Sequence, residues 1–320
     1  MDPANTDDIE KLVRSALSSF PLEVVALTLI ADEWNTTFRA ETIDGESCAV
    51  RVYLQDRRSD HEIRAEIAWL EALHRDETVG VPRPVRAADE SPFVRVGDRE
   101  CYRRVAVFSW VPGERLDDDP SPSLVSAFGE GVARLHEHGR SFGKLNGLRP
   151  WDRPILDGGG GVFDVANADI VDRRARSVFE RAFDAAREGI TRLQRAGEAP
   201  RIVHGDLHPD NVFVDGERLW FIDFDDCALG WPVQDLGVLM WEVGEDEMPW
   251  PYRDAFREGY QRVASWPERW PGEIDTFAAC RGLNKADHGV RMRDAEADAN
   301  ANVQRRADAV AVFLERVGAL

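Results

Sequence analysis

The stretch Ile202-Val203-His204-Gly205-Asp206-Leu207-His208-Pro209-Asp210-Asn211-Val212-Phe213-Val214, continued by Leu219-Trp220-Phe221-Ile222-Asp223-Phe224-Asp225-Asp226, constrains this chain more than any other. Two short apolar runs, Val212 to Val214 and Leu219 to Ile222, flank the turn pair Asp215-Gly216, which is the pattern of a β-hairpin. Such a hairpin gathers polar groups at its open end: Asp206 and Asn211 precede the first strand, and Asp223 ends the second. Phosphoryl transfer from ATP calls for a set of this kind. A carboxylate must orient the attacking hydroxyl, and hard oxygen ligands must grip magnesium while it bridges the phosphates. Asp206 fits the hydroxyl-orienting base. Asn211 offers a neutral carbonyl oxygen to a metal, and Asp223 offers a charged oxygen.

The rest of the chain divides by periodicity. Ile9, Leu12, Val13 and Leu17 predict an opening helix. Leu22 to Ile30, Thr37 to Thr42 and Cys48 to Leu54 read as strands, the last two as a hairpin around Asp44-Gly45. His61 to His74 predicts a helix with Ile63, Ile67, Leu70 and Leu73 on one face, ended by Val81-Pro82-Arg83-Pro84. Strands follow at Phe93 to Val96 and Tyr102 to Phe108. After Pro112-Gly113 the pattern turns helical, over Ser123 to His138, Ile170 to Arg195, Val233 to Val243, Tyr252 to Val263, Ile274 to Gly282 and Asn300 to Val317.

Composition narrows the function classes. At 320 residues, 43% hydrophobic and 31% charged, the chain reads as a soluble globular protein. Its longest largely apolar run, Val24 to Ala31, falls far short of the roughly 20 residues that span a bilayer. The acidic, helix-like N-terminus shows no secretory pattern, so a cytoplasmic location is expected. The formal net charge of −19 argues against nucleic acid and anionic membranes as partners. Lysine occurs only at Lys11, Lys144 and Lys285, and with abundant Asp this matches either a high-salt cytoplasm or an arginine-favouring genome. A cation-seeking cleft is the local alternative to those global explanations. Cys48, Cys101, Cys227 and Cys280 form no metal or redox spacing and read as reduced, mostly buried thiols. The oligomeric state leaves no mark in the sequence.

HGDLHPDN followed by IDFDD resembles the catalytic and metal-binding loops of the aminoglycoside phosphotransferase and choline kinase superfamily. The resemblance implies ATP and Mg2+ as cofactors, Asp206 as the catalytic base, and Asn211 and Asp223 as metal ligands. It implies that His204 braces the loop and that Asp235, in Gly230-Trp231-Pro232-Val233-Gln234-Asp235-Leu236, binds the loop backbone. In Cys48-Ala49-Val50-Arg51-Val52-Tyr53 an arginine stands where protein kinases carry the phosphate-binding lysine, with Glu66 as its expected helix partner and Glu62 as the alternative. No G-x-G-x-x-G precedes this strand; Ala31 to Phe38 takes its place, with Asn35 expected near the phosphates. Val107 to Val111 resembles the hinge that meets adenine, which puts Ser109 and Val111 at the nucleotide. Asp225 and Asp226 are open between metal or substrate tuning and solvated turn acids, and His208 and Asp210 read as solvent-facing. Trp151, Trp231, Trp241 and Trp250 are pocket candidates, each read first as core.

The implied architecture is an α+β, bilobal, protein-kinase-like fold: a small β-rich lobe over 1–108, a hinge over 109–113 and a larger helical lobe over 114–320. The order of motifs is similar to the branch of bacterial stress-response kinases and homoserine-kinase-like proteins. Three functions compete: a kinase for the hydroxyl of a small molecule such as a metabolite, amino alcohol, sugar or aminoglycoside; a Ser/Thr protein kinase of the stress-response type; and a nucleotide-binding pseudokinase scaffold. The short gap from Asp223 to Asp235 leaves no room for a long peptide-docking segment, which favours a small acceptor.

Overall fold

The computed structural model describes residues 6–32, 35–54, 58–98, 101–116, 120–143, 146–151, 161–244, 252–291 and 299–319. In chain order the elements are α1 (Thr6–Leu17), β1 (Val24–Asp32), β2 (Thr36–Thr42), β3 (Ser47–Tyr53), α2 (Asp60–Arg75), β4 (Pro84–Val85), β5 (Val94–Asp98), β6 (Cys101–Ser109), β7 (Glu114–Arg115) and α3 (Pro122–Phe142). There follow α4 (Arg173–Arg195), β8 (Arg201–Val203), β9 (Val212–Asp215), β10 (Arg218–Phe221), β11 (Ala228–Gly230), α5 (Pro232–Glu242), α6 (Arg253–Gln261), α7 (Glu273–Arg291) and α8 (Ala299–Arg316). The expected α+β architecture is present: an antiparallel sheet in the N-terminal part and helices in the C-terminal part.

Two compact units result. The first holds Met1–Glu114, Leu145–Leu148 and Phe213–Asp225; the second holds Arg115–Lys144, Arg149–Val212 and Asp226–Leu320. This division differs from the expected 1–108 and 114–320 in giving the β9–β10 hairpin mostly to the first unit. Backbone contacts explain the difference: Gly80 and Trp220 form a parallel bridge, and Phe221 N donates to Gly80 O at 2.8 Å.

In the first unit, β1, β2, β3, β6 and β4 lie in that order with β5 on β6, a six-stranded sheet among the described residues. Alternation sorts the faces. Cys48, Val50 and Val52 of β3 join Phe38, Ala40, Val105 and Val107 against Val13, Ala16 and Leu17 of α1 in one apolar core. Arg51 and Tyr53 therefore point to the other face. α2 opens on a capping box in which Ser59 and Glu62 exchange hydrogen bonds, and it buries Ile63, Glu66, Ile67, Leu70 and Leu73.

In the second unit α3 crosses α6 where Gly129 and Gly259 allow backbones to meet. Phe128 and Phe256 close the contact edge to face at 5.2 Å. β8 pairs with β11, Val203 opposite Ala228, and presents the segment that follows Val203. α4 starts at Arg173, later than the periodicity indicated, because Asp172 caps it through Ala175 N at 2.7 Å. α7 runs to Arg291, well past Gly282. Trp151 packs edge-on against Phe277, Trp241 is buried against Phe313, and Trp231 is buried, whereas Trp250 lies outside the described residues. Cys48, Cys227 and Cys280 are free and buried. No helix among the described residues is long and apolar enough to cross a membrane.

Candidate active site

Each unit carries one set of the residues singled out by the sequence. In the first unit the register of β3 and the inner face of α2 bring Arg51 and Glu66 together, Nη1 to Oε1 at 2.9 Å. Tyr53, two residues on and so on the same face, donates its hydroxyl to Glu66 Oε2 at 3.1 Å. The second arm of Arg51, Nη2, donates to Asp223 Oδ1 at 3.0 Å. Glu62 instead caps α2, so Glu66 is the partner. Burial pushes the Glu66 carboxyl up to about 7 against the opposing charge of Arg51. Burial also works against the Arg51 charge, but the carboxylates of Asp223 and Glu66 outweigh it and hold the guanidinium firmly protonated.

Asp223 follows β10 with φ of +62°, a left-handed conformation that aspartate tolerates better than most side chains. Its side chain is 40% exposed, and among the described residues Oδ2 accepts no hydrogen bond. Asn35 Nδ2 donates to Asp225 Oδ2 at 2.8 Å. Asp225 is buried, which does not fit the solvated-turn alternative of the two readings left open by the sequence. Near the expected adenine hinge, Ser109 N donates to Arg83 O at 2.8 Å and Ser109 Oγ accepts from Arg83 N at 2.9 Å. Val111 is buried, and its backbone takes no main-chain partner among the described residues.

In the second unit the loop after β8 is fastened from below. Asp235, fully buried in the first turn of α5, accepts from His204 N at 2.7 Å and from Gly205 N at 2.8 Å. His136 Nε2 lies 3.2 Å from Asp235 Oδ2, and its Nδ1 lies 2.9 Å from the Tyr260 hydroxyl. Gly205 has φ of +87°, and a Cβ there would run into the Asp226 carbonyl oxygen, so the turn admits only glycine. His204 Nδ1 accepts from Asp206 N at 3.3 Å. Asp226 is paired with Arg149 at 2.7 Å.

Asp206 stands on this braced loop. Asn211 Nδ2 donates to Asp206 O at 2.9 Å and lies 3.0 Å from His208 Nε2. His208 Nε2 is 3.5 Å from Asp206 Oδ2, so this histidine faces the loop and not the solvent as the sequence indicated. Asp210 is mostly exposed, 3.6 Å from Arg115. Arg281 Nη2 of α7 donates to Asp206 Oδ1, while Arg281 Nε donates to Glu242 Oε1 at 2.9 Å. Burial opposes ionisation of Asp206, but the hydrogen bond of His208 and the charges of Arg281, His208 and His204 outweigh it. The carboxyl is held well below the ordinary carboxylate range.

Each unit carries an oxygen donor of the kind that a hard divalent cation prefers. With Nδ2 tied to the loop backbone, Asn211 keeps a carbonyl oxygen that takes no partner among the described residues, and Asp223 keeps Oδ2. The described residues contain no cluster of three His, Cys, Asp or Glu suited to a metal.

Arg281, Glu242, His136 and Tyr260 had no motif to announce them. Arg281 and Asp206 are 75 positions apart, and only the packing of α7 joins them. The one available signal was the Arg281–Lys285 pair at helical spacing in a chain with three lysines.

The chain matches the phosphotransferase enzyme family (APH) over residues 26–272. It is 28% identical over 284 residues to an uncharacterized protein of Deinococcus radiodurans, covering 83% of this chain and 77% of that one. It is 22% identical over 257 residues to amicoumacin kinase of Bacillus subtilis, covering 78% and 73%. Against homoserine kinase of Methylobacillus glycogenes it is 34% identical over 189 residues, covering 58% of this chain and 51% of that protein. Among solved structures, a microcompartment-associated aminopropanol kinase matches with a TM-score of 0.81 at 23% identity, covering 97% and 98%. Amicoumacin kinase hAmiN, solved with AMP-PNP, Ca2+ and Ami, matches with 0.76 at 20% identity, covering 95% and 93%. By the span of the family match and the agreement of fold, this chain belongs to the phosphotransferase enzyme family.

Proposed function

We propose that the protein transfers the γ-phosphoryl group of ATP to a hydroxyl of a small molecule, with Mg2+ as cofactor. The observation that carries this reading is the loop geometry: an ionised, four-fifths-buried Asp206 on a backbone fixed by Asp235, with Asn211 tied to the same loop. Support comes from relatives named as amicoumacin and homoserine kinases, and from the neighbour solved with a nucleotide analogue and a divalent cation.

Roles follow from the chemistry. Asp206 accepts the hydrogen bond of the acceptor hydroxyl and aims its oxygen; its depressed basicity makes it an orienting group more than a strong base, which suits a loose transfer. Arg51, held by Glu66, binds phosphate oxygens with its forked donors. Asn35 approaches the phosphates, and Ser109 and Val111 border adenine. Asn211 and Asp223 would hold magnesium. A bound magnesium ion would supply positive charge to offset the charge of the phosphates. His204 and Asp235 keep the loop rigid, and Asp225 and Asp226 fix Asn35 and Arg149. A small acceptor agrees with the segment after Asp223: a 3-10 turn (Phe224–Asp226), β11 and the start of α5 occupy it entirely.

An ATP-consumption screen over homoserine, choline, aminoglycosides, sugars and a generic protein tests the reading. Turnover of a small alcohol is expected. Turnover of the protein alone would reassign the chain to the Ser/Thr protein kinases, and nucleotide binding with no turnover would make it a scaffold.

A further inference from the structure

Next to Asp206, the second unit holds two cations that no assigned role uses. Arg281 and Lys285 stand one turn apart on α7, and both reach Glu242 at the end of α5: Arg281 Nη2 at 2.8 Å and Lys285 Nζ at 3.1 Å, each to Oε1. Arg281 also bonds Asp206 Oδ1. Its Nη1 takes no partner among the described residues, and the Lys285 side chain is 36% exposed with a single carboxylate contact. The corner therefore keeps unspent donors on two positive groups, one of them forked to match a carboxylate.

Resting on the phosphotransferase reading, we propose that Arg281 is the specificity-determining residue for the acceptor, and that the acceptor is an alcohol carrying a carboxylate, not a simple cationic amino alcohol. A hydroxyl bonded to Asp206 is one hydrogen bond from the oxygen that Arg281 grips, so the acceptor's neighbouring atoms lie beside the guanidinium. A carboxylate two to four bonds from the hydroxyl would take Nη1 and draw Nη2 from Asp206, freeing Oδ1 for the hydroxyl. Recognition and alignment become one event. An ammonium placed there would meet Arg281 and Lys285 as like charges. The overall charge of −19 does not decide the matter, because contacts at this range lie well inside the ~10 Å screening length at 0.1 M salt.

The test compares homoserine, serine and 4-hydroxybutyrate, each with its carboxamide, and 3-amino-1-propanol, by ADP release with ATP and Mg2+. The expected result is a kcat/KM for at least one acid about 30-fold or more above that of its amide. Arg281→Gln should collapse that ratio towards 1, chiefly by raising KM for the acid about 10- to 100-fold, the size of a lost charge-assisted hydrogen bond. Arg281→Lys should restore part of the ratio. Lys285→Gln, at a more exposed site, gives a second reading if Arg281→Gln folds poorly, with a smaller fall in the same ratio. Three outcomes overturn the inference: the wild type prefers the amide or the amino alcohol, acid and amide fall alike in Arg281→Gln, or no acid is turned over. In the first two the phosphotransferase reading survives; nucleotide binding without turnover of any acceptor removes both.

Discussion

Burial moves the Glu66 carboxyl up to about 7, and the contact that it makes with Arg51 at 2.9 Å is an ion pair when that carboxyl is charged. Two pH effects of opposite sign follow. As a raised carboxylate, Glu66 contributes stability that is complete below the ordinary glutamate range and lost as pH rises through about 7. Its ionisation over the same interval fixes Arg51, so affinity for a non-hydrolysable ATP analogue should tighten from pH 6 to pH 8 with a midpoint near 7. Calorimetry on the wild type and Glu66→Gln reads this directly. The variant should bind more weakly at pH 8 and lose the excess pH dependence, leaving only the nucleotide's own protonation. Asp235 acts differently. It satisfies two buried backbone amides at once, so Asp235→Ala should cost about 2–5 kcal/mol in chemical denaturation, a large share of a typical domain's stability. Asp235→Asn, which keeps one acceptor oxygen, should lose less.

Helix α3 meets α6 through glycines, and a Cβ on Gly259 would lie inside the Ser126 carbonyl oxygen. Gly259→Ala should therefore destabilise by about 1–3 kcal/mol, although alanine raises helix propensity at the same position; a denaturation midpoint above the wild type's would contradict this packing. The same contrast of local and distant causes explains what the sequence could and could not disclose. Asp215-Gly216 between two apolar runs marked the β9–β10 hairpin, and the stripe Ile63, Ile67, Leu70 and Leu73 marked α2, because those signals are local. β4 and β7 span two residues and β8 and β11 three, too short for any period to register. α7 was expected to stop near Gly282, because its polar run after Leu283 lacks a regular stripe; packing carries it to Arg291. Its extra turns hold Lys285, whereas Arg281 lay within the expected helix and was missed because its contact with Asp206 is distant in sequence.

For the whole molecule, the two compact units divide the implicated residues: Arg51, Glu66, Asn35, Asp225 and Asp223 in the first, Asp206, Asn211, His204, Asp235 and Asp226 in the second. The motif from His204 to Asp226 spans that division in a single run of chain, and the family match over residues 26–272 contains it. The excess of 59 acidic over 40 basic residues is a property of the whole composition, whereas the proposed chemistry turns on a few charges with named partners. The most direct measurement is the rate of phosphoryl transfer by Asp206→Asn beside its affinity for the ATP analogue. Turnover is expected to fall at least about 100-fold with nucleotide affinity within about threefold of wild type, in line with the usual contribution of a positioned acid–base group. Wild-type turnover in that variant would contradict the assignment of Asp206 and, with it, the proposed mechanism.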